Sequence, residues 1–313
     1  MRLMYAIIGM GPVGSTIAVH LAQAGHDLAI LCGYEAKYTA LASGPLVVKG
    51  KLSAHAKFGN LHMQMESFLE TKPDVIFIAT KSCDSPAILQ TIKQSAKFDK
   101  KTVFVSCQNG LGVEEQIINV FGSQNALRMV MNLGCSLIGE NEVNVTFIFP
   151  QILSLRIDVN MALTRQVAMD LTSAGFKTDL KEDYQPDIFR KAILNSSLSS
   201  VCALTGMTMK AVLDRPFLKR IVEEIVREGI SIAKVRKIAI GAGFFNEAMS
   251  YLSSGGDHKP SMLVDIENRR RTENDYHCGK LVQYAENSGM RVPVTETVYG
   301  FLKSIEDDFT RTI

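Results

Sequence analysis

Short apolar runs alternate with segments of helical periodicity through the first half of the chain. The runs 5–8, 28–32, 74–79 and 102–106 are predominantly apolar, which is typical of strands buried on both faces of a parallel sheet. Segments with helical spacing of apolar residues follow the first, third and fourth runs. This β-α alternation predicts a doubly wound α/β sheet with helices on both faces.

The pattern changes near residue 182, after which helical periodicity dominates. Residues 187–204 are apolar nearly all round, which indicates a buried helix, and a long helix is predicted over 215–239. We therefore expect an α/β domain over residues 1–182 and an all-helical domain over residues 183–313. Further short strands are predicted over 46–48, 61–65, 127–132, 143–149, 153–158 and 176–180, and a further helix over 161–173.

A glycine-rich turn follows the first predicted strand and precedes a helix that ends at Gly25. Its glycines have the spacing G-x-G-x-x-G, which in this context is the fingerprint of a dinucleotide-binding turn. The first glycine permits the tight turn, the second lets the pyrophosphate approach the backbone, and the third allows close helix–strand packing. A purely structural turn is the alternative. The predicted cofactor-binding turn comprises Gly9, Met10, Gly11, Pro12, Val13 and Gly14.

Residues after the second predicted strand bear on the choice of cofactor. An NAD site usually has an acidic residue at this strand end, and an NADP site has an arginine nearby. This chain has Gly33 there, and Glu35 comes late for a ribose-binding acid. Lys37 is interpreted either as a partner for a 2′-phosphate or as a solvated surface lysine.

Polar residues at other strand ends and on one helix are candidates for the site. Lys81 and Asn109 follow two buried strands at the sheet edge where ligands bind, although a loop lysine and an Asn-Gly turn are the structural alternatives. Lys191, Asn195 and Ser199 are spaced four apart on an otherwise apolar helix, so they share one face. Such a stripe indicates a cleft, or else an ordinary polar surface.

Composition excludes several classes of function. The chain has 313 residues, 46% hydrophobic and 21% charged, which is typical of a globular protein, and its net charge of +2 indicates neither a nucleic-acid nor a membrane partner. No apolar run is long enough for a membrane span, and the chain opens on a strand rather than a signal peptide. Its six cysteines are scattered, so we expect reduced thiols in the cytoplasm and no metal site.

In this order the motifs resemble those of the ketopantoate reductase (2-dehydropantoate 2-reductase) family. They are IIGMGPVG at the start, ATK at Lys81, QNGLG at Asn109, KAILN at Lys191, and PSMLVDIENRRRTENDYHCG over 260–279. The resemblance implies an N-terminal Rossmann-type domain and a C-terminal helical domain like that of 6-phosphogluconate dehydrogenase, with the active site in the cleft between them.

The resemblance also implies roles for individual residues. Lys191 matches the catalytic lysine that protonates the substrate carbonyl, and Asn109 matches an asparagine between cofactor and substrate. Lys81 and Glu273 match cofactor-contacting positions. The implied substrate-binding positions are Asn109, Asn195, Ser199, His258 and Ser261.

Four positions depart from the family pattern. Ser199 and His258 replace asparagines at substrate positions, Cys278 replaces an asparagine, and Gly33 replaces an arginine that contacts the NADP 2′-phosphate. The implied activity is reduction of 2-dehydropantoate to pantoate by NADPH, on the route to pantothenate and coenzyme A, with NADH as the alternative donor. A reductase of another branched keto acid and a non-catalytic dinucleotide sensor are the alternative functions. We expect a monomer or a homodimer.

Overall fold

The computed structural model describes residues 2–311, with side chains described through residue 309. The chain divides into two compact units. Unit 1 contains the chain before Asn109 together with Val113–Tyr184, and unit 2 contains Asn109–Gly112 together with the chain from Gln185 onward. The four-residue segment 109–112 therefore belongs with the C-terminal half of the sequence.

Within the described residues, twelve strands form two sheets, and all of them belong to unit 1. They are β1 (Met4–Ile8), β2 (Asp27–Leu31), β3 (Leu46–Gly50), β4 (Ala54–Ala56), β5 (Leu61–His62), β6 (Val75–Ile78), β7 (Val103–Ser106), β8 (Ala126–Val130), β9 (Leu133–Gly139), β10 (Glu142–Ile148), β11 (Gln151–Ser154) and β12 (Thr178–Lys181). The segment 61–65 was predicted as one strand, but only its first two residues pair, and a helix begins at Met65.

The larger sheet has eight strands in the order β12-β11-β8-β7-β6-β1-β2-β5. Its pairs are parallel except β8 with β11. Strand order reverses between β1 and β6, so this sheet has the switch point at which doubly wound sheets bind ligands. Every residue of β6 and β7 is buried, because helices cover both faces.

The smaller sheet has the order β4-β3-β10-β9, and sequence patterns did not indicate it. Strands β3 and β10 are parallel, with Val47 opposite Glu142, although almost a hundred residues separate them in sequence. Helix α1 (Pro12–Gln23) packs against both sheets, and Ile17 and Val19 belong to a core cluster that includes Val48 and Val143. This position explains why eight consecutive residues of α1 are buried.

The remaining helices of unit 1 connect its strands. They are α2 (Glu35–Ser43), α3 (Met65–Leu69), α4 (Ser85–Gln94), α5 (Val113–Phe121) and α6 (Met161–Ser173). The described part of unit 2 consists of helices and connecting loops and contains no strand. Its helices are α7 (Gln185–Leu194), α8 (Ser200–Thr205), α9 (Met209–Leu213), α10 (Pro216–Val235), α11 (Phe244–Ser253), α12 (Ser261–Glu267), α13 (Cys278–Glu286) and α14 (Pro293–Arg311).

The helix predicted over 187–204 lies within a continuous helical stretch, in which a π-helical turn, Asn195–Ser199, joins α7 to α8. Helix α8 ends at Gly206, whose left-handed φ of 70° is typical of a glycine helix stop. Long helix α10 packs against this assembly so closely that a Cβ on Gly229 would lie 2.7 Å from Ile193. The predicted fold class, a Rossmann-type sheet followed by a helical domain, is confirmed.

Candidate functional site

Two of the three fingerprint glycines are required by the packing of unit 1 itself. Gly9 has a φ of +99°, and a Cβ there would lie 2.4 Å from the backbone nitrogen of Thr80. A Cβ on Gly14 would lie 2.0 Å from the carbonyl oxygen of Gly9. Side chains at these positions would separate the turn from the end of β6. The first and third glycines therefore set the tight strand–turn–helix connection.

Gly11 differs from both, because the fold does not explain why it is glycine. Its φ of −69° and ψ of −174° are accessible to any residue, and a Cβ there would meet no atom within 4 Å. Gly11 is the N-cap of α1, a position at which backbone N–H groups lack helical partners. An open space beside such donors suits a phosphate group. The turn therefore fits a dinucleotide pyrophosphate.

Loops after β6 and β7 are joined by the side chain of Gln108. Its Nε2 donates to the carbonyl oxygen of Lys81 at 3.3 Å and to Ser85 Oγ. Its Oε1 accepts from Ser106 Oγ at 3.2 Å, and that hydroxyl accepts from Arg128 Nη1 at 3.1 Å. This buried network fixes the backbone at half-buried Lys81. The sequence had placed Gln108 only in the QNGLG motif and gave no signal for Arg128.

Both interpretations of Lys37 made from the sequence, a solvated lysine and a partner for a 2′-phosphate, are wrong, because its side chain is 0% exposed. Its Nζ donates to the carbonyl oxygen of Glu140 and lies 3.4 Å from the Glu140 carboxylate. Burial lowers the pKa of Lys37, and the attraction of Glu140 opposes that shift. Burial also raises the pKa of Cys32 to about 11. Lys37 is thus neither a solvated lysine nor available to a 2′-phosphate.

Unit 2 contains a small pocket between the π-helical turn, α12 and the segment before α13. Three of the predicted substrate residues, Asn195, Ser199 and Ser261, line it. The pocket is therefore rich in groups that donate and accept hydrogen bonds. The other lining residues are Met262, Asp265, Glu273 and His277. For Asp265, Met262 and His277 the sequence offered one signal, their place in the 260–279 motif.

The π-helical turn changes how the polar stripe is presented. Lys191 lies on the last turn of α7 and is half-buried, whereas Asn195 and Ser199 open and close the π turn. A π turn widens the helix, yet both of its polar ends line the same pocket. Buried Cys278 donates to the carbonyl oxygen of Ser196 at 3.5 Å, and burial raises its pKa to about 12. Cys278 therefore supports this turn as an inert thiol.

The segment 109–112 is tied to unit 2 by backbone contacts. The amide nitrogen of Leu111 donates to the carbonyl oxygen of Tyr276 at 2.8 Å. Gly110 has a φ of +103°, and a Cβ there would lie 2.6 Å from the Cβ of Tyr276. Asn109 thus belongs to the same unit as the pocket and is half-buried, but it is not among the pocket-lining residues.

His258 is not brought to the pocket. It is exposed, and its carbonyl oxygen accepts from the amide nitrogen of Met209 at 3.0 Å.

Asp265 is buried in the pocket wall, and its Oδ1 lies 3.4 Å from Arg270 Nη2. One member of the 269–271 arginine run therefore pairs with a pocket carboxylate.

The described residues contain neither a metal-binding cluster nor a membrane-spanning helix. Within residues 2–311 no group of three or more His, Cys, Asp or Glu side chains is arranged to hold a metal ion. Across the same described stretch, each helix is too short or too polar to cross a bilayer. None of the six cysteines forms a disulfide.

Comparisons with known proteins identify the same family in both units. A model of the family described as ketopantoate reductase PanE/ApbA matches residues 5–154, and a model of its C-terminal part matches residues 183–306. A 2-dehydropantoate 2-reductase of Pyrococcus abyssi is 28% identical, covering 96% of this chain and 97% of that protein.

Two solved structures show the same fold at lower identity. A PanE/ApbA family ketopantoate reductase from Ralstonia eutropha superposes with a TM-score of 0.88 at 17% identity, covering 98% of this chain and all of that one. A D-mandelate dehydrogenase with bound NADH and anilino(oxo)acetate superposes with a TM-score of 0.87 at 24% identity, covering 98% and 99%.

Proposed function

The chain belongs to the ketopantoate reductase family of NAD(P)H-dependent oxidoreductases, and from this premise we propose that it reduces 2-dehydropantoate to pantoate. The product would enter pantothenate synthesis. The pocket of unit 2 carries this proposal, because it gathers the amide of Asn195 and the hydroxyls of Ser199 and Ser261. Such groups bind the carboxylate and hydroxyl oxygens of a small hydroxylated keto acid.

Unit 1 would hold the cofactor through the turn 9–14, and Lys81, Asn109 and Glu273 are proposed to contact it as well. The open space at Gly11 supports this placement. When bound, NAD(P)H supplies the hydride for the C2 ketone of the substrate. The family resemblance favours NADPH, and NADH is the alternative.

Lys191 is proposed as the proton donor. As hydride reaches C2, negative charge develops on the ketone oxygen, and an ammonium group beside that oxygen stabilises the charge and then transfers its proton. Lys191 precedes Asn195 by one helical turn, so its side chain projects from the face that carries the pocket residues Asn195 and Ser199. Asn109, from the segment 109–112, is proposed to bind the substrate or the nicotinamide ribose.

A different 2-keto acid is the second candidate substrate. Ser199 is a shorter donor than the asparagine of the family pattern, and His277 and Met262 also line the pocket. The exposed position of His258 weakens its proposed role as a substrate ligand. These residues change both the volume and the polarity of the pocket, and both properties select among keto acids.

A panel of 2-keto acids tests the proposal. Purified protein is mixed with NADPH or NADH and each acid in turn, and the loss of nicotinamide absorbance gives kcat/KM. We expect 2-dehydropantoate to be the best substrate. Equal or better turnover of another acid would assign the second candidate instead, and nucleotide binding without turnover of any acid would indicate a sensor.

A further inference from the structure

The carboxylate of Glu140 lies against the loop that follows β2. Glu140 belongs to the turn between β9 and β10, so the smaller sheet delivers it to this place. Tyr34 Oη, in the loop itself, donates to Glu140 Oε2 at 2.6 Å. Lys37 Nζ lies 3.4 Å from the same oxygen and donates to the carbonyl oxygen of Glu140. Two neighbouring groups therefore fix this carboxylate.

The pair formed by Lys37 and Glu140 presents its negative end to solvent. The Lys37 side chain is 0% exposed and that of Glu140 is 44% exposed. A ligand approaching the loop from solvent therefore meets the carboxylate before the ammonium. Glu35, at the start of α2, adds a second acidic side chain to the same stretch of chain.

This loop is where a Rossmann-type sheet holds the adenosine ribose, because β2 lies beside β1 at the switch point. A bound NADP places a phosphate on the ribose 2′-oxygen, and sites for it supply a cation. Such a phosphate monoester carries a charge of about −1.5 to −2 at neutral pH. Here Gly33 has no side chain, and the ammonium of Lys37 is buried against Glu140.

We infer that Glu140 is a specificity-determining residue that disfavours a 2′-phosphate, so that the chain binds NADH in preference to NADPH. The inference rests on the proposed function, since it requires that this edge of unit 1 binds a nicotinamide dinucleotide. The carboxylate acts through charge repulsion across a partly solvated gap. Repulsion of this kind changes affinity by about three- to tenfold and weakens as salt increases.

Nucleotide affinity measured without any keto acid tests the inference. The change in NADH or NADPH fluorescence on binding gives each Kd, and calorimetry with adenosine 5′-phosphate and adenosine 2′,5′-bisphosphate isolates the ribose end. The variant is Glu140→Gln, which keeps an oxygen acceptor for Tyr34 and Lys37. The control is Glu142→Gln, two residues along the same hairpin, where the carboxylate pairs with exposed Lys49 at 2.9 Å.

We expect the unmodified protein to bind NADH at least threefold more tightly than NADPH. Glu140→Gln should tighten NADPH binding about three- to tenfold, with the larger effect at low salt, and leave NADH within twofold. Glu142→Gln should change neither. Tighter binding of NADPH by the unmodified protein, or equal shifts for both nucleotides in Glu140→Gln, would overturn the inference alone. Binding of neither nucleotide would refute the proposed function as well.

Discussion

Replacement of Gly11 by alanine separates nucleotide binding from folding. The added Cβ meets no atom of the protein within 4 Å, and the φ of −69° suits alanine. Replacing glycine by alanine restricts the unfolded chain, which raises the free energy of unfolding by about 0.4–1 kcal/mol. Alanine is a poorer N-cap than glycine, which lowers the free energy of unfolding by a similar amount. The two effects offset, so we expect the free energy of unfolding to change by less than about 1 kcal/mol.

The same methyl group would occupy the space proposed for the pyrophosphate. Displacing the phosphate from one backbone N–H removes a hydrogen bond to a charged group, which contributes about 1.5–3 kcal/mol. Affinity for NADH and NADPH should therefore fall about 10- to 100-fold in Gly11→Ala. Nucleotide fluorescence titration measures this change, and urea unfolding measures the stability of the same preparation.

Two further glycine variants serve as controls. Gly59 also has open space around its missing Cβ, so Gly59→Ala should leave nucleotide affinity unchanged. In Gly14→Ala the Cβ would lie 2.0 Å from the Gly9 carbonyl oxygen, so this variant should lose about 3 kcal/mol of stability. Unchanged affinity in Gly11→Ala, with intact stability, would show that the nucleotide does not bind at this turn.

Three further predictions concern the proton donor and the stability of each unit. Lys191→Ala should lower kcat about 100-fold or more, while NADH affinity stays within twofold. The control Lys210→Ala breaks an exposed ion pair with Asp214 and should change neither kcat nor NADH affinity. Equal losses in kcat and NADH affinity in Lys191→Ala would contradict the proton-donor role. Glu228 accepts hydrogen bonds from the amide nitrogens of Val294 at 3.0 Å and Thr295 at 2.8 Å, at the start of α14. Glu228→Ala should therefore lower the free energy of unfolding in urea by about 3 kcal/mol, and the exposed control Glu224→Ala by less than about 0.5 kcal/mol. Similar losses in the two variants would refute the role of Glu228 in anchoring α14. Burial lowers the pKa of His20, so below pH ~6.5 the unfolded state binds more protons than the folded state. His20 should therefore make the free energy of unfolding fall with decreasing pH, by at most about 1.4 kcal/mol per pH unit. An unchanged pH dependence of stability in His20→Gln would exclude this contribution.

The sequence by itself determined the features that depend on neighbouring residues. The turn 9–14 was recognisable because the glycines, the strand before them and the helix after them are contiguous. Lys191, Asn195 and Ser199 were recognisable as a set because one helix spaces them. The change from alternating β-α patterns to helices alone likewise identified the fold class, since apolar periodicity is a local property.

Tertiary structure decided whatever depends on residues distant in the chain. The smaller sheet forms because β3 pairs with β10, and the local sequence pattern of either strand does not identify which strand it pairs with. That pairing brings Glu140 to Lys37, which buries a lysine that sequence alone left either solvated or phosphate-bound. Likewise, His277 reaches the pocket and His258 does not, because packing of α12 and α13 on the π-helical turn determines which side chains converge. Periodicity specifies which face of a segment is apolar, whereas contacts between segments decide what that face and its polar neighbours meet.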